Sequence, residues 1–369
     1  MFKIAELFSQ LPNPALPSEM MGQIIALYQH DAFFRLAHEK VQRRDHLIDR
    51  FNGRQPTRIY ISNNLRHLSP RKAAVGVGYL ERDFFLERNA SRFAEKCTQL
   101  AGSVVIVNNN DAHKGGVAEA YVKFFESCPN TIFIAWDWDN HHWLSLSTVL
   151  AAHSDLYVPT HGENHYLLSR YNADITDAVA AGLTQWTTAF LRQHLADILQ
   201  MPRSDSPLGM HIPYATFQYR NRVVATMQPH YATIGFSTHQ FHQLTPEEKF
   251  TEWVSHKLHW IVPVLNDIPI RVFDALGTGG IPLIPDTLRY SHWLADAHPD
   301  DVLCYSAADI LQPEPLVQRA CRLFDRYGEE GMQRRFDYAL EWHHGDVRIA
   351  MMLDAAARLY SLRWRVSRA

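Results

Sequence analysis

The feature that most restricts the fold of this chain is a rhythm: short apolar runs of β type alternate with stretches of helical spacing, and the rhythm occurs twice. TRIYIS (57–62), SVVIVNN (103–109), TIFIAWD (131–137) and DLYVPT (155–160) form the first set, with the helical VAEAYVKFFES (117–127) between two of them. Runs that are apolar throughout suit strands covered on both faces, and strand–helix–strand order gives parallel neighbours. After PRSDSP (202–207), a linker by composition, the pattern restarts. LGMHIPY, YRNRVVATM, YATIGFS, TPEEKFTEWVSHK and HWIVPVL come first, then IRVFDAL, GIPLIP, DVLCYS and EPLVQRACRLFDRYG. Thr245 before Pro246 reads as a helix cap with proline at the first helical position.

At 369 residues the chain is long for one core. Four parts are expected: an N-terminal helical segment (1–56), an α/β domain (57–201), a second α/β domain (208–345) and a C-terminal helix (346–369). The fold class is therefore α/β with two Rossmann-like domains, and ligands of such sheets bind at the carboxyl ends of the strands.

The net charge of −3 supplies no general attraction to nucleic acid. Four cysteines without CxxC spacing suit reduced thiols in a cytoplasmic protein. MFKIAELFSQLPNPALP has neither the apolar core nor the cleavage pattern of a secretory signal, and no apolar run reaches membrane-spanning length. The basic RLYSLRWRVSRA at the C-terminus (358–369) allows peripheral contact with anionic lipid, although a solvated end of the last helix is the simpler reading. Aromatic residues make up 12% and histidines number 21, which could serve recognition of a hydroxyl-rich ligand or simply fill cores.

Four segments carry the candidate chemistry. In NDIPIRVFDALGTGGIPLIP (266–285) a short helix bearing Arg271 and Asp274 ends in Gly277, Gly279 and Gly280. The first turn of such a helix presents unpaired N–H groups and a positive dipole end, which suits a diphosphate, and Asp274 one turn inside could accept from a ribose diol. Asp267 could be a further contact or only an N-cap, and the glycines could be only a helix C-cap. AWDWDNHHW (135–143) places Asp137, Asp139, His141 and His142 just after a β run, where they could hold a metal or supply a general base. NNNDAHKGG (108–116) offers Asn110, His113 and Lys114 in a glycine-containing loop. THGENH (160–165) offers His161, Glu163 and His165. His211 ends the first strand of the second domain, as a ligand contact or as a core histidine.

The segment carrying Arg271, Phe273, Asp274, Gly277, Gly279, Gly280, Pro282 and Leu283 resembles the nucleotide-sugar element of GT-B glycosyltransferases. The similarity is greatest to the family-1-like and spore-maturation-protein-like group, and it extends more loosely over residues 100–330. The resemblance implies two Rossmann-like domains facing each other across a cleft and a nucleotide-diphosphate sugar as donor substrate, with no further cofactor and no metal. It implies donor contacts from Asp274, Arg271, Arg220, Gly279, Gly280, Asp267 and His211, with Arg222 and Lys257 as further basic candidates. A base drawn from Asp139, His141 or Asp137 would act in an inverting transfer, and Lys114, His113, His161 and Glu163 would contact a glycan or glycolipid acceptor. A surface polysaccharide, a lipopolysaccharide or a protein side chain could be that acceptor. Retaining relatives carry an acid where this chain has Asn266, and most have Glu where it has Asp274. Two other classes stay open: a metal-dependent enzyme centred on Asp137, Asp139, His141 and His142, and a non-catalytic sugar-nucleotide-binding protein.

Overall fold

The structure, a computed structural model, describes residues 30–70, 75–139, 144–162, 174–214, 218–237, 244–265 and 267–363. Of the expectations above, those on residues 1–29, His141, His142, Glu163, His165, Asn266 and the last six residues lie outside this range. No helix among the described residues is long and apolar enough to cross a membrane.

The described chain divides into two compact units, residues 30–180 with 346–363, and residues 181–345. In the N-terminal unit, β1 (Ile59–Ser62), β2 (Val77–Leu80), β3 (Val104–Asn108), β4 (Ile132–Asp137) and β5 (Leu156–Pro159) form one sheet in the order β2-β1-β3-β4-β5. Every pairing is parallel. Side chains alternate between the faces, as the two-residue strand period requires. Ile59, Ile61, Val104, Ile106, Ile132, Ile134 and Trp136 share one core with Leu47 and Phe51 of α1 (His30–Phe51). Tyr60, Val105, Val107, Phe133 and Ala135 share the other with Phe124 and Phe125 of a helix over Val117–Ser127. Much of the aromatic content is spent here: Phe85, for example, meets Tyr121 edge to face at 4.7 Å.

The C-terminal unit contains β6 (Gly209–His211), β7 (Ile234–Phe236), β8 (Leu258–Trp260), β9 (Ile281–Pro285) and β10 (Leu303–Tyr305). β6 pairs with β7 and β8 to β10 pair in sequence, all parallel. A bridge between Leu208 and His259 joins the two sets. The helix over Pro246–Val254, α2 here, starts on a complete capping box between Thr245 and Glu248. Thr245→Ala should cost about 1 kcal/mol of stability, read by urea denaturation. A loss under about 0.2 kcal/mol would mean that the cap is replaced by water.

Two boundaries differ from the expected ones. PRSDSP is not the crossing between units, which falls at Ala180/Ala181. Residues 181–201 belong to the C-terminal unit, with Leu183, Trp186, Leu191 and Ile198 among their buried side chains. The Trp186 indole N–H donates to Pro246 O (2.9 Å), and its ring meets Phe250 and Trp253 edge-on. Arg203, inside the supposed linker, spans Ile198 O, His256 O and Thr278 O. The second difference is the C-terminal helix, α4 (Gly345–Leu359), which is not a separate element. Ile349, Met352, Leu353 and Ala356 complete the α1 side of the N-terminal core.

Candidate functional site

In the C-terminal unit the candidate site centres on α3 (Ile270–Gly277), which follows β8 and precedes β9. Its N-cap is Pro269, which has no side chain able to cap, so the expected Asp267 cap does not form. The loop before it holds Leu265 at φ 55, a left-handed conformation that leucine adopts only at a cost of about 1–3 kcal/mol. Arg271, in the first turn, donates from Nη1 to Met210 O in the middle of β6. Burial and the neighbouring Arg220 guanidinium lower its pKa to about 10. Arg220 is itself buried, lies 5.5 Å over the Tyr214 ring, and has no described partner for Nε. Burial lowers its pKa too, opposed by Asp267. Both guanidiniums stay charged at neutral pH in a low-dielectric setting, which suits a doubly charged anion.

The remaining expected donor contacts have other partners. His211 is fully buried, and its Nε2 accepts from Val262 N–H (3.1 Å). Nδ1 therefore carries the proton and donates to Gly209 O (2.8 Å). Burial, Arg271 and Arg220 keep it neutral. No ring nitrogen is left for a ligand, so the core reading holds for this residue. Gly279 and Gly280 lie at the opposite end of α3 from Arg271. Gly279 has φ +75 in the C-terminal turn, and a side chain there would strike Ile198. A Cβ on Gly280 would stand 2.5 Å from His259 Nε2. These two glycines close the helix and admit protein atoms where a ligand had been expected. Lys257 is engaged by Asp205 (2.6 Å) and Asp325 (2.7 Å). Asp274 is only 1% exposed, and its Oδ1 has no hydrogen-bond partner among the described residues. Burial raises its pKa to about 8, against the opposing pull of Arg271. A ribose does not reach it in this arrangement.

In the N-terminal unit the candidates lie at the carboxyl ends of adjacent parallel strands. Asn108 ends β3 and organises that edge. Its Oδ1 accepts from Asn64 Nδ2 (3.0 Å) and Asn110 N–H (2.9 Å), and its Nδ2 donates to Trp136 O (2.9 Å). Asn109 Oδ1 accepts from Trp138 N–H (2.9 Å), which ties the β3 loop to the β4 loop. Asn108, Asn109 and Asn64 had no role in the sequence reading, which drew only Asn110 from the NNN run.

Asp137 ends β4 but turns into the core. It is fully buried, its Oδ2 accepts from Tyr157 O–H (2.5 Å), and burial raises its pKa to about 7. A carboxyl enclosed in this way cannot touch an acceptor hydroxyl, so it is removed from the base candidates. Asp139, two residues on, is half-buried in the loop. His113 and Lys114 are exposed, and Lys114 lies 3.6 Å from Asp111. His161, past β5, is buried at 9% exposure. No group of three metal-ligating side chains occurs among the described residues.

No family model matches this chain, and no curated protein sequence matches it. Solved structures similar to it include a UDP-forming alpha,alpha-trehalose-phosphate synthase from Burkholderia xenovorans, with 9% identity and a TM-score of 0.48 over 83% of this chain and 99% of that one. The sucrose-phosphate synthase of Thermosynechococcus elongatus is similar at 11% identity and a TM-score of 0.45, over 79% of this chain and 82% of that one. Anabaena Alr3699/HepE, solved with UDP-glucose, is similar at 5% identity and a TM-score of 0.46, over 83% of this chain and all of that one.

Proposed function

We propose that this chain is a glycosyltransferase that moves a sugar from a nucleotide-diphosphate donor to a hydroxyl acceptor. The observation that carries this reading is the pair of guanidiniums, buried Arg220 and half-buried Arg271, beside the start of α3, where no side chain caps the helix. A leaving diphosphate needs positive charge and N–H donors already fixed in place, and the two cations at the start of α3 support that reading, in a transfer we propose to be metal-independent. The resemblance of residues 271–283 to nucleotide-sugar elements points to the same ligand. Asp139 is the described residue we assign as general base toward the acceptor, in an inverting transfer that serves glycan or glycoconjugate synthesis.

A thermal-shift panel with UDP, GDP, dTDP, ADP and CMP tests the donor site. Ligand at a hundred times its dissociation constant stabilises by about 2.7 kcal/mol. One nucleoside diphosphate should give that shift, and Arg220→Gln should weaken its binding by about 1.5–3 kcal/mol through lost charged hydrogen bonds. A panel without any shift sinks the donor assignment. Asp139→Ala should keep the nucleotide shift and lower turnover about 10²–10⁴-fold. Normal turnover would dismiss Asp139 as base.

A further inference from the structure

The sequence order of strands in the C-terminal unit reverses between β6 and β8: β7 lies on the far side of β6, and β9 and β10 continue beyond β8. Such a switch point is where open α/β sheets take their ligands. The two strands begin as a regular parallel ladder. Leu208 N–H donates to Leu258 O (2.9 Å), and Trp260 N–H donates to Leu208 O (2.8 Å). Parallel rungs repeat with the two-residue period of the strand, so the next one would join Val262 N–H to Met210 O.

Side chains take both ends of that rung instead. Val262 N–H donates to His211 Nε2 (3.1 Å), and Met210 O accepts from Arg271 Nη1. The strands are still close one step earlier, where a Cβ on Gly209 would stand 3.2 Å from Trp260 O. Val262 and His211 are both fully buried, so the amide depends on a protein acceptor. His211 Nδ1–H donates to Gly209 O (2.8 Å), and that bond fixes Nε2 as the accepting nitrogen. The ring acts as a substitute carbonyl and the guanidinium as a substitute amide.

We infer that His211 is a positioning residue: by taking the Val262 N–H it leaves Met210 O to Arg271, and the swapped rung holds that guanidinium at the switch point. The swap needs both side chains. Without the ring, Val262 N–H has no acceptor while Arg271 keeps Met210 O. Without either side chain, the ordinary rung forms again. The residues after Val262 lead to the start of α3 at Ile270, so the same rung anchors the approach to the helix. That the held cation serves a diphosphate rests on the donor reading above; the swap of bonds does not.

Amide hydrogen exchange in the free protein tests the swap. His211→Ala should speed exchange at Val262 by about tenfold or more, with Trp260 on the preceding rung unchanged. His211→Gln, whose Oε1 can stand near the position of Nε2, should return Val262 to within about threefold of the wild type. The double variant His211→Ala, Arg271→Ala should restore protection at Val262, because Met210 O is released to it. Unaltered Val262 exchange in His211→Ala overturns the swap, as does a double variant no better protected than the single one. Should His211→Ala fail to fold, the wild-type ring decides. Nitrogen NMR should find its proton on Nδ1 and a hydrogen-bond coupling between Val262 N–H and Nε2. A proton on Nε2 overturns the assignment.

The ligand arm uses whichever of UDP, GDP, dTDP and ADP shifts the wild-type chain. His211→Ala should bind it about tenfold more weakly, and His211→Gln within about threefold of the wild type. Unchanged affinity in a His211→Ala chain whose Val262 amide has loosened overturns the positioning role. Equal losses in His211→Ala and His211→Gln, with Val262 protected in the latter, overturn it too. If no nucleoside diphosphate binds, the donor reading and the ligand half fall together, and the free-protein arm still decides whether the rung is swapped.

Discussion

Arg43→Ala is expected to lower the unfolding free energy by about 3–5 kcal/mol, the usual cost of leaving a buried charge without its partner. Arg43, on α1, donates from Nε (2.5 Å) and Nη2 (2.9 Å) to the two carboxylate oxygens of Asp155, and Nη2 also reaches Thr131 O (2.9 Å). Asp155 lies at the head of β5, and its Oδ2 also accepts from Phe133 N–H (2.8 Å). Its side chain is 4% exposed, so water does not replace the guanidinium. One fork thus fastens α1 to the amino ends of β4 and β5. Urea denaturation should show the whole loss as a lower midpoint with an unchanged slope. Asp155→Ala added to Arg43→Ala should cost less than the sum of the two single changes, because no orphaned charge remains. A loss under about 1 kcal/mol would place this pair with ordinary surface bridges.

The second large effect concerns pH. Asp137 titrates at about 7 and Asp274 at about 8, both raised from 3.8 by burial. The folded chain therefore retains protons that the unfolded chain releases as pH rises above 4. More protons bound in the folded state means that stability falls with rising pH: up to about 7 for Asp137 and about 8 for Asp274, and no further above that. Each unit of displacement is worth about 1.4 kcal/mol, so the combined loss across the window is several kcal/mol. Asp137→Asn and Asp274→Asn should each gain on the wild type as pH climbs from 5 to 9. Denaturation midpoints measured across that range give the difference directly. A gap between variant and wild type that stays constant with pH would show that these carboxyls ionise normally in the folded chain.

Most of the architecture is legible in the sequence because the strands of a sheet covered on both faces are apolar throughout. SVVIVNN, TIFIAWD and GIPLIP each lie where the reading puts them. β2 is not legible: Val77–Leu80 lies at the edge of its sheet and is only partly buried, so it has no continuous apolar run. The unit boundary is hidden for the opposite reason. The crossing at 180–183, AAGL, is apolar because it is packed, whereas PRSDSP looks like a tether and is pinned by Arg203.

The site residues were legible by type but not by direction. Arg271 and Arg220 are recognisable as cations near a helix start. Nothing in the sequence shows that His211 spends both nitrogens on the main chain, or that Asp137 faces Tyr157 while Asp139 stays in the loop. The first depends on which face of β6 His211 occupies, and a shift of one position reverses it. The second arises because β4 ends at Asp137 and Asp139 lies beyond it.

The place of α4 has a consequence for biosynthesis. The first sheet to emerge from the ribosome lacks part of the covering layer on its α1 side until Ile349, Met352 and Leu353 appear, after the entire second unit has been made. At about 5–20 residues per second, that leaves apolar strand surface exposed for on the order of ten to thirty seconds. Nascent chains of this protein therefore have a long interval in which a chaperone can engage them, and a stop codon just before α4 would make that interval permanent.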